Sequence, residues 1–126
     1  MYKIFFSPQA MNDRRLIERS GLKQKVIRLL DILKVNPYET PPSYEKLMGN
    51  LSGFYSRRIN MQHRLVYQVL PNCDGFCDEN GKEYDGVVKI IRMWTHYENV
   101  RSHMKQKGND WRINAFFFYI YITMGR

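Results

Sequence analysis

Residues Asn50–Gln68, NLSGFYSRRINMQHRLVYQ, read as two strand-like runs joined across a short polar turn. Aromatic and β-branched residues on both sides favour strands, Gly53–Asn60 and His63–Leu70. A loop of three residues, Asn60-Met61-Gln62, pairs Ile59 with His63 and Arg58 with Arg64, which then share a face. A two-residue loop would put these arginines on opposite faces. Two like charges directly opposite each other are unfavourable unless an anion lies between them. The stretch also concentrates Arg57, Arg58, His63 and Arg64 beside Phe54, Tyr55 and Tyr67. Guanidinium groups match phosphate oxygens and aromatic rings stack on bases, so the combination suits an RNA phosphodiester. Neighbouring strand residues alternate faces, so at most one of Arg57 and Arg58 points at such a site, and the other is expected in solvent.

Upstream, Met1–Phe6 is a short β-type run. Ser7-Pro8 reads as an N-cap followed by the first helical position. The helix it opens is expected to reach Ser20, with Gly21 as its stop. A second helix spans Leu22–Val35, where Val26, Leu29, Leu30 and Leu33 form an apolar stripe, and Asn36-Pro37 ends it. Tyr38–Tyr44 is a Pro-rich crossover, and Glu45–Leu51 extends from it toward the sheet. Downstream, Pro71–Asp85 is a polar, glycine-bearing loop. Val87–Tyr97 is the last strand, and Glu98–Lys107 reads as a helix ended by Gly108. Two adjacent helices followed by strands in series indicate an α+β fold, a small antiparallel sheet with an N-terminal helical hairpin on one face. The expected domain is 1–108, with 109–126 as a C-terminal tail. The tail's Phe116–Tyr121 run would recruit another chain, whether a partner segment added as a strand, a second copy in a homodimer or an aggregate.

The chain has 126 residues, enough for one modest core. Twenty Lys and Arg against 12 Asp and Glu leave a formal charge of +8, which favours polyanionic partners. The amino terminus, with a short apolar run and early charge, does not read as a signal peptide. Cys73 and Cys77 imply no disulfide framework, so a reducing cytoplasm is the default. Ala115–Met124 is too short to cross a bilayer as a helix, which needs about 20 residues, so no membrane role is expected. Cys73 and Cys77, without a second pair or a well-spaced His, read as free thiols rather than a metal site. Ser52, Ser56 and Ser102 lack a histidine at a usable distance, which disfavours a serine hydrolase. No Gly-rich phosphate loop is present, and no metal or cofactor is expected.

The run LxxNLSGFYSRRINxxHRLVYxV around Leu47–Val69, with the final strand ending in Thr95-His96-Tyr97, resembles the YoeB/Txe group of the RelE/ParE toxin superfamily. The resemblance covers roughly residues 1–97. It implies a ribosome-dependent endoribonuclease that cuts mRNA in the decoding site and is neutralised by a cognate acidic, YefM-like antitoxin. The family's catalytic glutamate falls on Glu45, its arginines on Arg58 and Arg64, and its C-terminal pair on His96 and Tyr97. Met48 stands where the family usually has lysine, and Lys46, two positions away, shares the face of position 48 in a strand. The implied chemistry uses the 2′-hydroxyl as nucleophile, with Glu45 as base, Arg64 and Arg58 as a phosphate clamp and His96 as acid. Lys46 and Tyr97 are further substrate-binding candidates.

Two other functions fit the same residues. One is a RelE/ParE-like relative that inhibits a non-nuclease target such as a topoisomerase. The other is an RNA- or ribosome-binding module that uses the basic sheet for affinity alone. Glu45 and His96 separate them, because only the nuclease needs both. Structural roles also compete for single residues: His96 beside Trp94 as a partly buried histidine, His63 as a residue flanking the turn.

Overall fold

The computed structural model describes residues 1–47 and 53–95. In chain order the elements are β1 (Tyr2–Phe6), α1 (Pro8–Arg19), α2 (Lys23–Val35), β2 (Glu45–Lys46), β3 (Phe54–Arg58), β4 (Arg64–Leu70) and β5 (Gly86–Thr95). The strands form one five-stranded sheet in the order β1-β5-β4-β3-β2. The α+β class is as expected, but the sheet is mixed: β1 runs parallel to β5, whereas the other pairs are antiparallel. A hairpin turn forces opposite directions on the strands it joins. β1 and β5 are linked only through the helices and the other strands, so nothing local imposes that direction.

Ser7 fixes the entry to α1. Its hydroxyl oxygen accepts the Ala10 amide at 2.9 Å, and the hydroxyl itself donates to the Ile91 carbonyl. The Ser7 amide donates to the Ile90 carbonyl at 2.8 Å, so one buried residue both caps the helix and ties it to β5. Gly21, at φ +76, lies just past the helix in the left-handed region where glycine costs least. Deeper in α1, the buried carboxylate of Asp13 accepts Arg92 Nε at 2.8 Å, Arg92 Nη2 at 3.2 Å and the Met93 amide at 2.9 Å. The apolar stripe of α2 is buried through Val26, Leu29 and Leu33, packed with Ile4, Ile17, Leu65, Tyr67, Val88 and Ile90.

The hairpin closes as the three-residue loop requires. The Ile59 and Asn60 amides donate to the His63 carbonyl, and Asn60 Oδ1 accepts the amides of Gln62 and His63. His63 is buried in this corner. The 71–85 loop is organised by Asn72, whose amide nitrogen donates to the Phe76 and Tyr84 carbonyls while its oxygen accepts the Phe76 amide. Phe76 then packs edge-on against Phe5. Cys73 and Cys77 are exposed free thiols on this loop. Gly86 begins β5 where a Cβ would lie 2.8 Å from the Tyr2 ring and 3.0 Å from the Leu70 carbonyl, so glycine lets β1 and β4 flank it. The expected helix at Glu98–Lys107, the boundary at Gly108 and the tail 109–126 lie outside the described residues.

One expectation about the arginine pair is overturned. The member that leaves the Arg64 face, Arg57, is not in solvent but fully buried. Its Nε donates to the Tyr67 hydroxyl at 3.2 Å, its Nη1 to the Pro42 carbonyl, and its Nη2 to the Pro37 and Glu39 carbonyls at 3.0 and 2.8 Å. The guanidinium also lies 5.1 Å from the Tyr44 ring centroid. A desolvated guanidinium is tolerated because carbonyl oxygens and ring faces replace water on its donors and its plane. Burial raises the Tyr67 pKa, an effect that the hydrogen bond from Arg57 and its charge oppose. The Tyr67 hydroxyl donates onward to the Pro37 carbonyl at 2.7 Å. We expect Arg57→Ala to destabilise the fold by about 3 kcal/mol or more, since each buried acceptor left unpaired costs about 1–3 kcal/mol. Urea unfolding of the two proteins measures this directly.

Candidate active site

Register decides which side chains meet. Glu45 pairs with Ser56, Ser56 with Val66, and Arg58 with Arg64, so these residues share one face of the β2–β3–β4 sheet. The arginines are directly opposite, as the three-residue loop implies. Arg64 relieves the like-charge contact by turning along the sheet. Its Nε donates to Ser56 Oγ at 2.5 Å, and its Nη2 lies 3.4 Å from Glu45 Oε1. The Arg64 side chain is 18% exposed and that of Glu45 68%, so the carboxylate stands at the rim and the guanidinium sits half-sunk beside it. Arg58 is exposed.

β5 completes this end of the sheet. Thr95 pairs with Arg64, and the β4–β5 register shifts twice between Arg64 and Tyr67. Such irregularities bend a strand locally and are common beside active sites. His96, Tyr97 and Met48 lie outside the described residues. Lys46 does not join Glu45. It pairs with Tyr55 and therefore belongs to the opposite face, where Tyr55 stacks on Tyr67 with centroids 5.5 Å apart. A two-residue strand gives neighbours opposite directions, and that separates Lys46 from the arginines.

Two polar residues of this face were not singled out by sequence reasoning. Ser56 was weighed only as a nucleophile. Its position two residues before Arg58 puts it diagonally across from Arg64, and that signal was available once the hairpin register was set. Lys89 pairs with both Gln68 and Phe5, which carries it to the same face two strands away from Ser56. It is 8% exposed, and burial pulls its ammonium down from 10.5 to about 8. No sequence pattern distinguishes this lysine from a solvated one.

The family model of YoeB-like toxins of bacterial type II toxin–antitoxin systems matches residues 6–97. Toxin YoeB of Synechocystis sp. is 40% identical over 58 residues, which is 46% of this chain and 60% of that toxin. Toxin YoeB of Escherichia coli K12 is 40% identical over 69 residues, 53% of this chain and 82% of that one. The YoeB dimer from Staphylococcus aureus superposes with a TM-score of 0.58 at 36% identity, over 76% of this chain and 98% of its own. The S. aureus YoeB–YefM toxin–antitoxin complex gives 0.55 at 35% identity, over 77% and 99%.

Lys89 generates a pH dependence. The unfolded chain holds this proton up to 10.5, whereas the folded chain releases it near 8. Between those values the unfolded state binds more protons, so stability rises with pH, and below 8 the charged amine is a standing cost. Lys89→Met is expected to stabilise the protein at pH 7 by on the order of a few kcal/mol and to flatten the rise above pH 8. Thermal unfolding from pH 7 to 10 distinguishes this outcome from an unchanged profile.

Proposed function

Since the chain belongs to the YoeB-like toxins of bacterial type II toxin–antitoxin systems, we propose that it is a ribosome-dependent endoribonuclease that cleaves mRNA and inhibits translation. The observation that carries this reading is the Arg64 guanidinium, half-buried between Ser56 and Glu45 with Arg58 opposite. Paired cations on one sheet face, with a carboxylate at hydrogen-bonding range, suit a phosphodiester that must be both held and attacked. In the proposed reaction Glu45 takes the proton of the 2′-hydroxyl, and the 2′-oxygen attacks phosphorus. The bond to the 5′-oxygen breaks, leaving a 2′,3′-cyclic phosphate and a 5′-hydroxyl. Arg64 and Arg58 stabilise the charge that develops on the phosphoryl oxygens. His96 protonates the leaving oxygen. It follows directly on Thr95, the residue paired with Arg64. Tyr97 is assigned to substrate binding.

The charge of +8 supports attraction both to ribosomal RNA and to an acidic antitoxin. A YefM-like partner is further supported by the S. aureus relative, which was solved as a YoeB–YefM complex. Self-association is supported in the same way by the S. aureus YoeB dimer. Translating ribosomes make the cytoplasm the site of action.

Arg64→Ala is expected to lower ribosome-dependent cleavage by roughly 10²–10³-fold, the usual cost of losing one donor to developing negative charge. Mapping mRNA 5′ ends after expression, for both proteins, gives the readout. Cleavage at the wild-type rate removes Arg64 from the mechanism. Glu45→Gln keeps the shape and loses the basicity, so cleavage is expected to fall while ribosome co-sedimentation is retained. If ribosome binding is lost instead, Glu45 is a docking residue and the base lies elsewhere.

A further inference from the structure

We propose that Ser56 is a positioning residue that presents Arg64 to the phosphate and keeps it from closing onto Glu45. The inference rests on the nuclease reading of Arg64. Ser56 is 1% exposed, lies in the middle of β3, and has Glu45 across from it on β2. Its hydroxyl oxygen accepts Arg64 Nε. An arginine beside a carboxylate ordinarily makes two parallel hydrogen bonds, commonly through Nε and one Nη. Here Nε is already engaged, and Glu45 touches the guanidinium only through Nη2, at 3.4 Å. Ser56 thereby prevents the base and the phosphate-binding cation from neutralising each other in a closed pair. It also fixes a long, flexible side chain at its Nε, leaving Nη2 turned toward the exposed Glu45 carboxylate.

Removing the hydroxyl frees Nε to rotate onto Glu45. Ser56→Ala is therefore expected to lower kcat about 10- to 100-fold with little change in KM for programmed ribosomes, as a misplaced catalytic group does. A double-mutant cycle separates positioning from a general effect on the fold. In an Arg64→Ala background the added Ser56→Ala change is expected to cost less than about twofold, because the group it positions is gone. An equal loss in both backgrounds, or a wild-type rate for Ser56→Ala, overturns the proposal.

A second measurement needs no cleavage. In the NMR spectrum of the wild-type protein the Arg64 Nε–H resonance is expected to exchange slowly with solvent, and in Ser56→Ala to shift as its proton passes from the hydroxyl to the Glu45 carboxylate. An unchanged resonance overturns the positioning role even if the protein proves not to be a nuclease. Conversely, slow exchange in a wild-type protein that cuts no ribosome-bound mRNA refutes the function while leaving the contact intact.

Discussion

The rest of the structure depends on a cation buried where no carboxylate is needed to hold it. Arg57 points away from the Arg64 face and gathers the carbonyls of Pro37, Glu39 and Pro42. Those carbonyls belong to the crossover that leaves α2 and delivers the chain to β2. An irregular segment of this kind has few backbone partners of its own, and unpaired buried carbonyls are costly. One five-donor side chain meets that need at three points and leans on Tyr44 and Tyr67 as it does so. Tyr38, Tyr44 and Tyr55 pack against one another at tilted to edge-on angles, with centroids 5.5–6.2 Å apart. Because Tyr44 directly precedes Glu45, the same bonds that stabilise the crossover set where the carboxylate at the rim can stand.

The β3 strand therefore has two different jobs on its two faces. Arg57 and Tyr55 hold the crossover on one side, and Ser56 and Arg58 face the candidate site on the other. The adjacent arginines are chemically identical, yet Arg57 is buried and structural while Arg58 is exposed. On the same, helix-covered face of the sheet as Arg57, Asp13 performs the matching task for β5. Its carboxylate takes both Arg92 and the Met93 amide, so α1 is tied to the strand just before its pairing with Arg64. A bent strand beside the site is thus fixed by a buried, fully engaged carboxylate, an arrangement that tolerates the irregular register without leaving backbone groups idle.

Local signals determined much of this in advance. Ser7-Pro8 and Gly21 marked the ends of α1 because capping and left-handed turns are set by one or two residues. The α2 stripe at helical spacing marked its buried side. The hairpin admitted two registers; the structure has the three-residue loop, and from it counting alone puts Arg58 opposite Arg64. The length and continuity of the motif around Asn50–Gln68 also identified the family. What local reading could not supply was the partner of any group whose neighbour is distant in sequence. The parallel placement of β1 against β5 is one such case, and Lys89 is another.

The sequence by itself determined which residue types are present and, for a given register, which of them share a strand face. Only the tertiary structure decided which arginine is buried and that the Ser56 hydroxyl takes Arg64 Nε beside the Glu45 carboxylate. The physical reason is the range of the interactions. Periodicity and capping act over a few residues, so they can be read along the chain. Desolvation and hydrogen bonding of a long cationic side chain depend on acceptors as distant as Pro37 is from Arg57, and these meet only when the sheet and crossover have closed.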